Sequence, residues 1–159
     1  MGSPIMGDWI VICQSYLCDR PGMTTSETTI TTLSEAEADA FAAEWMDAWN
    51  AHDLDRVLEH YADDVEYCSP FIAQLAEPGG PGADGRLLGK AAVRDYFAAA
   101  LARNTDLHFD PPAHVAVGAG SVSIVYTSIG NRTAVETLVF APGSRTVARA
   151  HCHYRAPAG

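Results

Sequence analysis

Apolar residues recur at helical spacing from Ala38, and Phe41, Ala42, Trp45 and Trp49 fall on one stripe. Just before them, Ser34-Glu35-Ala36-Glu37 has the form of a capping box, so a first helix is predicted to start there. Asn50-Ala51-His52-Asp53 ends it, and Asp53 can cap a second, short helix with Leu54, Val57, Leu58 and Tyr61 inward. Val65 to Cys68 predicts a short strand, stopped by Ser69-Pro70. Residues 74–89 predict a loop, because Pro78-Gly79-Gly80-Pro81-Gly82 and Asp84-Gly85 break regular structure. A third helix is predicted from about Lys90 to Arg103, with Val93, Tyr96, Phe97, Ala100 and Leu101 inward.

Beyond Arg103 the pattern becomes strand-like. Leu107 to Val117 predicts one strand, interrupted by Pro111-Pro112 as at an edge or a bulge. Turns at Gly118-Ala119-Gly120, Gly130-Asn131 and Pro142-Gly143 separate three more strands: Ser121 to Ile129, Thr133 to Phe140 and Arg145 to Arg155. Three helices with one short strand among them, followed by a four-strand meander, make an α+β domain over residues 33–156. Residues 1–32 read as a separate extension or linker, expected to be poorly ordered: Arg20-Pro21-Gly22 breaks the chain, and a Thr/Ser-rich stretch follows. Two alternatives stand for this part, a start at Met23 or a short strand docked through Trp9, Ile10 and Ile12.

The chain has 159 residues, 48% hydrophobic and 19% charged, which suits one globular domain. A formal net charge of -10 argues against nucleic acid and anionic membranes, both of which call for a basic face. Cys13, Cys18, Cys68 and Cys152 form no Cys-x-x-Cys pair, so buried free thiols in a reducing cytoplasm are expected. No apolar run approaches the roughly 20 residues that span a bilayer.

Trp45 to Tyr61, then Ala62-Asp63-Asp64-Val65, then Gly89 to Phe97 resemble the nuclear transport factor 2-like superfamily, closest to its SnoaL-like members. The resemblance covers about residues 34–155. It implies a cystatin-like cone, a curved antiparallel sheet wrapped around the long first helix with a hydrophobic pocket between them. It further implies a homodimer through the outer sheet face and work without cofactor or metal. It is nearly silent on activity, because one fold hosts many functions. In ketosteroid isomerases, which resemble the chain through Tyr61-Ala62-Asp63-Asp64, the catalytic carboxylate position matches Ser69 here and the helix tyrosine matches Trp45. Their oxyanion-hole acid matches Glu136. One role of three survives, which argues against classical steroid isomerisation. Limonene-type epoxide hydrolases use an arginine where this chain has Ala134, and a carboxylate that its last strand lacks.

Alternation places Glu136 on one face with Ala134, Leu138 and Phe140. On the last strand Arg149, His151 and His153 share one face, and Ala148, Ala150, Cys152 and Tyr154 the other. By analogy with the family, the Glu136 and His151 faces point into the cone. Glu136, His151 and His153 are then the catalytic candidates, with Trp45, Trp49, Ser69, Tyr96, Leu138 and Arg149 as substrate-binding candidates. Other readings remain open. Glu136 can be a buried structural partner of Arg149 or a histidine; the last strand can be inverted, putting its histidines on the dimer face; and two imidazoles with a carboxylate also suit zinc or iron. The function expected is proton-transfer chemistry, as in an isomerase, cyclase or dehydratase, on a hydrophobic ring-bearing or polyketide-like molecule. The alternatives are a non-catalytic binding module and a dimerising association domain.

Overall fold

The computed structural model describes residues 29–157, and the expectations for the chain before residue 29 lie outside them. Helix α1 spans Glu35–Asn50, α2 Leu54–Glu59 and strand β1 Tyr61–Cys68. Helix α3 spans Pro70–Leu75, β2 Arg86–Leu88 and α4 Lys90–Arg103. Strands β3 His114–Gly118, β4 Ser121–Ser128, β5 Arg132–Phe140 and β6 Val147–Arg155 follow. The strands form one curved six-stranded sheet in the order β2-β1-β6-β5-β4-β3. Its neighbours are antiparallel except β1 and β6, which run parallel. The predicted α+β cone and its four-strand meander are present.

The start of α1 follows from local chemistry. Ser34 Oγ accepts from the Glu37 amide at 3.3 Å, and the Ser34 amide donates to Glu37 Oε2 at 2.9 Å, so two otherwise free donors are satisfied. The helix buries Ala38, Ala42, Trp45, Met46, Ala48 and Trp49, and its aromatic residues fill the concave side of the sheet. Asp53 caps α2 through the Arg56 amide at 3.1 Å.

Four elements differ from expectation. Strand β1 begins at Tyr61, which the pattern places on the second helix, and not at Val65: α2 stops at Glu59, and the Val147 amide donates to the His60 carbonyl at 2.7 Å where β1 starts to pair with β6. Helix α3 lies where a strand stop and loop are predicted: Ser69 is its N-cap, with Pro70 in the first turn, a helix-start signal. The described residues therefore hold four α-helices instead of three. Within the predicted 74–89 loop, β2 pairs with the outer edge of β1, with Leu87 opposite Tyr67. Finally, Leu107 to Asp110 is not strand. Asn50 takes up its backbone groups, donating to the Phe109 carbonyl at 2.9 Å and accepting from the Phe109 amide at 2.7 Å, while His52 Nε2 lies 2.9 Å from the Leu107 carbonyl. These side-chain bonds stand in for a sheet ladder and hold Leu107 and Phe109 against α1.

Among the described residues no helix is long and apolar enough to cross a membrane.

Candidate functional site

The inner face of the sheet is fixed by register. On β5 the buried side chains are Ala134, Glu136, Leu138 and Phe140. Ile124 of β4 and Cys152 of β6 oppose Glu136 directly, and directly opposed residues share a face. The inner residues of β6 are therefore Ala150, Cys152 and Tyr154.

This corrects the expected placement of three residues. His151 opposes Thr137, and His153 opposes Val135, on the outer face. His153 is exposed, with Nδ1 3.3 Å from the Val135 carbonyl. His151 borders an outer depression with Cys68, Asp84 and Arg86. Arg149 also points outward, with Nε 3.6 Å from Glu66 Oε2. Glu136 is thus partner to neither Arg149 nor the histidines, and the three groups of the metal alternative do not converge. A bulge between Val139 and Phe140 lies in this hairpin. The alternation within β6, small and apolar at 148, 150 and 152 against charged and polar at 149, 151 and 153, agrees with the observed facing.

The site itself is a cavity of about 260 Å³ between α1, α4 and the inner sheet. That is near the small end of ligand pockets, roughly 300–1,000 Å³. Its deep wall is aromatic, with Trp45, Trp49, Phe97, Phe109, Tyr67 and Tyr126 all buried. Trp49 meets Phe97 edge-on at 4.7 Å between centroids, and Phe109 meets Tyr126 at 4.9 Å. Tyr96 lines the cavity, as expected. Leu138 does not: it is fully buried in the core. Nor does Ser69, whose Oγ accepts from the Phe71 amide at 3.3 Å as the α3 cap.

In this apolar wall Glu136 is 2% exposed. Tyr67 donates its hydroxyl to Oε1 at 2.9 Å, and Tyr126 donates to Oε2 at 3.0 Å. The Cys152 thiol donates to the Tyr67 hydroxyl at 3.0 Å. Burial pushes the Glu136 carboxyl up from its ordinary value, and the bonds from Tyr67 and Tyr126 offset part of that rise. Burial, reinforced by the nearby carboxylate, also pushes the Tyr126 hydroxyl and the Cys152 thiol well upward, so both hold their protons at neutral pH. Trp45 is committed elsewhere, donating Nε1–H to the Tyr61 hydroxyl at 3.1 Å. The Trp49 indole N–H is buried and has no acceptor among the described residues, which leaves one donor for a ligand.

Of the residues expected from the sequence, Glu136, Trp45, Trp49 and Tyr96 line the cavity; Tyr67 and Tyr126, not among those expected, line it too, and the Cys152 thiol lies behind Tyr67. Each of these last three sits in an alternating run that identifies its face, as Val122, Ile124 and Tyr126 do on β4.

A structure similar to this one is a SnoaL-like protein of unknown function from Burkholderia thailandensis E264, 44% identical, covering 78% of this chain and 99% of that one, with a TM-score of 0.70. An NTF2-like protein of unknown function from Burkholderia xenovorans LB400 shares the fold at 17% identity, covering 78% of this chain and 88% of that one, with a TM-score of 0.53. So does a provisionally named polyketide cyclase from Sinorhizobium meliloti, at 14% identity, covering 76% of this chain and all (100%) of that one, with a TM-score of 0.57. No curated protein matches the chain. Residues 42–159 match the SnoaL-like domain, and the chain belongs to that family.

Proposed function

We propose that the cavity binds a small hydrophobic, ring-bearing molecule and that Glu136 moves a proton on it. The observation that carries this reading is a single buried carboxyl in an aromatic wall, shifted toward neutral pH by burial and steadied by two tyrosine hydroxyls. A carboxyl shifted in that direction is a better general acid–base near pH 7 than an ordinary one. Tyr67 and Tyr126 keep their protons and act as donors, first to Glu136 and then to charge developing on the ligand. The reaction class that fits is proton abstraction next to a carbonyl, as in an isomerase, cyclase or dehydratase, with no cofactor in the step.

A thermal-shift screen of steroids, terpenoids and aromatic polyketides identifies the ligand, since saturation at 100 times Kd adds about 2.7 kcal/mol of stability. Deuterium uptake from D2O into the ligand then reads proton transfer. Wild type is expected to catalyse uptake, and Glu136→Gln to bind the ligand yet lose roughly 10²- to 10⁴-fold in exchange rate. Exchange at an unchanged rate in Glu136→Gln refutes the catalytic role.

A second reading, a binding module without turnover, is favoured by the outward facing of His151 and His153, which leaves Glu136 without a partner acid–base in the cavity. Bound ligand with no exchange in wild type decides for it. A homodimer through the outer sheet face and residence in the cytoplasm complete the proposal. The free thiols of Cys68 and Cys152 suit a reducing compartment.

A further inference from the structure

The rim of the cavity differs in character from its depth. Half-buried Arg132 and exposed Arg103 line it together with Asn104 and Gln74. Most cations of this acidic chain are engaged. Arg56 pairs with Glu44 at 2.8 Å, Arg86 with Asp84 at 2.9 Å and Lys90 with Asp63 at 2.9 Å. Arg94 pairs with Asp55 at 2.6 Å, Arg149 with Glu66 at 3.6 Å, and Arg145 with Glu37. Among the described residues only Arg103, Arg132 and Arg155 have no carboxylate partner, and two of these three line the one cavity that holds Glu136.

Arg132 is also positioned. It shares the inner face of β5 with Ala134 and Glu136. Its guanidinium carbon lies 5.6 Å from the centroid of the Phe71 ring, and Nη1 donates to the Ile129 carbonyl at 3.3 Å. The turn beneath makes room for it. Gly130 has φ +69°, and a Cβ there would lie 2.8 Å from Arg132 Nη1. With one of its donors engaged, the guanidinium keeps others for a ligand.

We propose that the cavity takes an amphipathic anion: an apolar, ring-bearing body lies against the aromatic wall, and an anionic oxygen group (carboxylate, sulfonate or phosphate) is received at the rim by Arg103 and Arg132. This rests on the reading of the cavity as a ligand site. It orients the ligand, because the anionic end stays at the rim, away from the buried Glu136. The net charge of -10 repels anions in general, so a preference for one reports this site and not the field of the whole protein.

Two probes share one ring skeleton, 8-anilinonaphthalene-1-sulfonate and uncharged N-phenyl-1-naphthylamine. Fluorescence titration of both is compared in wild type, in Arg103→Gln/Arg132→Gln and in Arg155→Gln, after thermal melts confirm that each is folded. Wild type is expected to bind the sulfonate roughly tenfold or more tightly than the amine, with the preference shrinking as salt rises. The double variant is expected to lose the preference while its affinity for the amine changes less than about twofold. Arg155→Gln is expected to behave as wild type. Equal affinities in wild type, or equal losses for both probes in the double variant, overturn the anionic assignment and leave the cavity reading standing. If neither probe binds the folded protein, the cavity reading fails and takes this one with it.

Discussion

Tyr126→Phe removes one hydroxyl and little else. The lost bond is 3.0 Å long, runs to Glu136 Oε2 and is buried at both ends. A hydrogen bond to a neutral partner contributes about 0.5–1.5 kcal/mol net and one to a charged partner about 1.5–3 kcal/mol. The cost of the substitution therefore depends on whether Glu136 is ionised. The Tyr126 hydroxyl holds the Glu136 carboxyl down against the upward push of burial, so its removal raises the carboxyl further. Glu136 already binds its proton more tightly folded than unfolded, so its contribution to stability declines as pH rises above 4.5 toward its folded value. In Tyr126→Phe that decline extends to higher pH. The variant should lose about 1 kcal/mol where Glu136 is protonated and about 2 kcal/mol where it is ionised. For a chain of this length these losses are about 3 and 6 °C in Tm. Urea denaturation across pH 4–8 measures the loss, and the carbon-13 carboxyl signal of labelled Glu136 measures its titration in both proteins. The two must agree, because a tenfold change in proton affinity equals about 1.4 kcal/mol of added loss. A stability loss that stays constant with pH, or a Glu136 titration that moves downward, refutes the reasoning.

Leu138→Ala empties a fully buried position behind the cavity, so it should cost about 3 kcal/mol in urea denaturation; a cost below about 1 kcal/mol would mean that the core collapses readily around it. Glu37 stands at about 2 because the Ser34 amide, Arg145 and the Ser34 hydroxyl all favour its anion, so its contribution is present above 4.5 and is lost as pH falls toward about 2. Glu37→Gln should flatten that acid loss in a circular-dichroism titration, and an unchanged profile would show that the capping box is not its source.

The helices and the meander were legible because each is written in a local pattern. The capping box at Ser34, the stripe through Trp45 and Trp49, and the turns at Gly130-Asn131 and Pro142-Gly143 each act within a few residues. The misreadings came where two distant segments compete for one set of backbone groups. Leu107 to Asp110 has strand-like composition, yet Asn50 and His52 hold it to α1. The short β2 exists because the edge of β1 pairs with it across α3. Ser69 failed as a cavity residue for a local reason, since a serine followed by proline starts a helix as readily as it ends a strand. Facing on β6 is also legible in its own alternation. The run of Ala148, Ala150 and Cys152 marks the buried side, which leaves the polar set Arg149, His151 and His153 on the outer face. What one chain's pattern does not hold is the convergence of Tyr67, Tyr126 and Cys152 on Glu136, because it joins β1, β4, β5 and β6 only after the sheet has closed.

The most direct test of the cavity as the ligand site is an NMR titration of the folded protein with N-phenyl-1-naphthylamine. It follows the Trp49 indole N–H, the Glu136 carboxyl carbon and the ring signals of His151 and His153. Trp49 and Glu136 are expected to shift together and saturate at one affinity, while the outward-facing histidines stay in place. Shifts at His151 and His153 with Trp49 and Glu136 unmoved would contradict this and place binding on the outer face of the sheet.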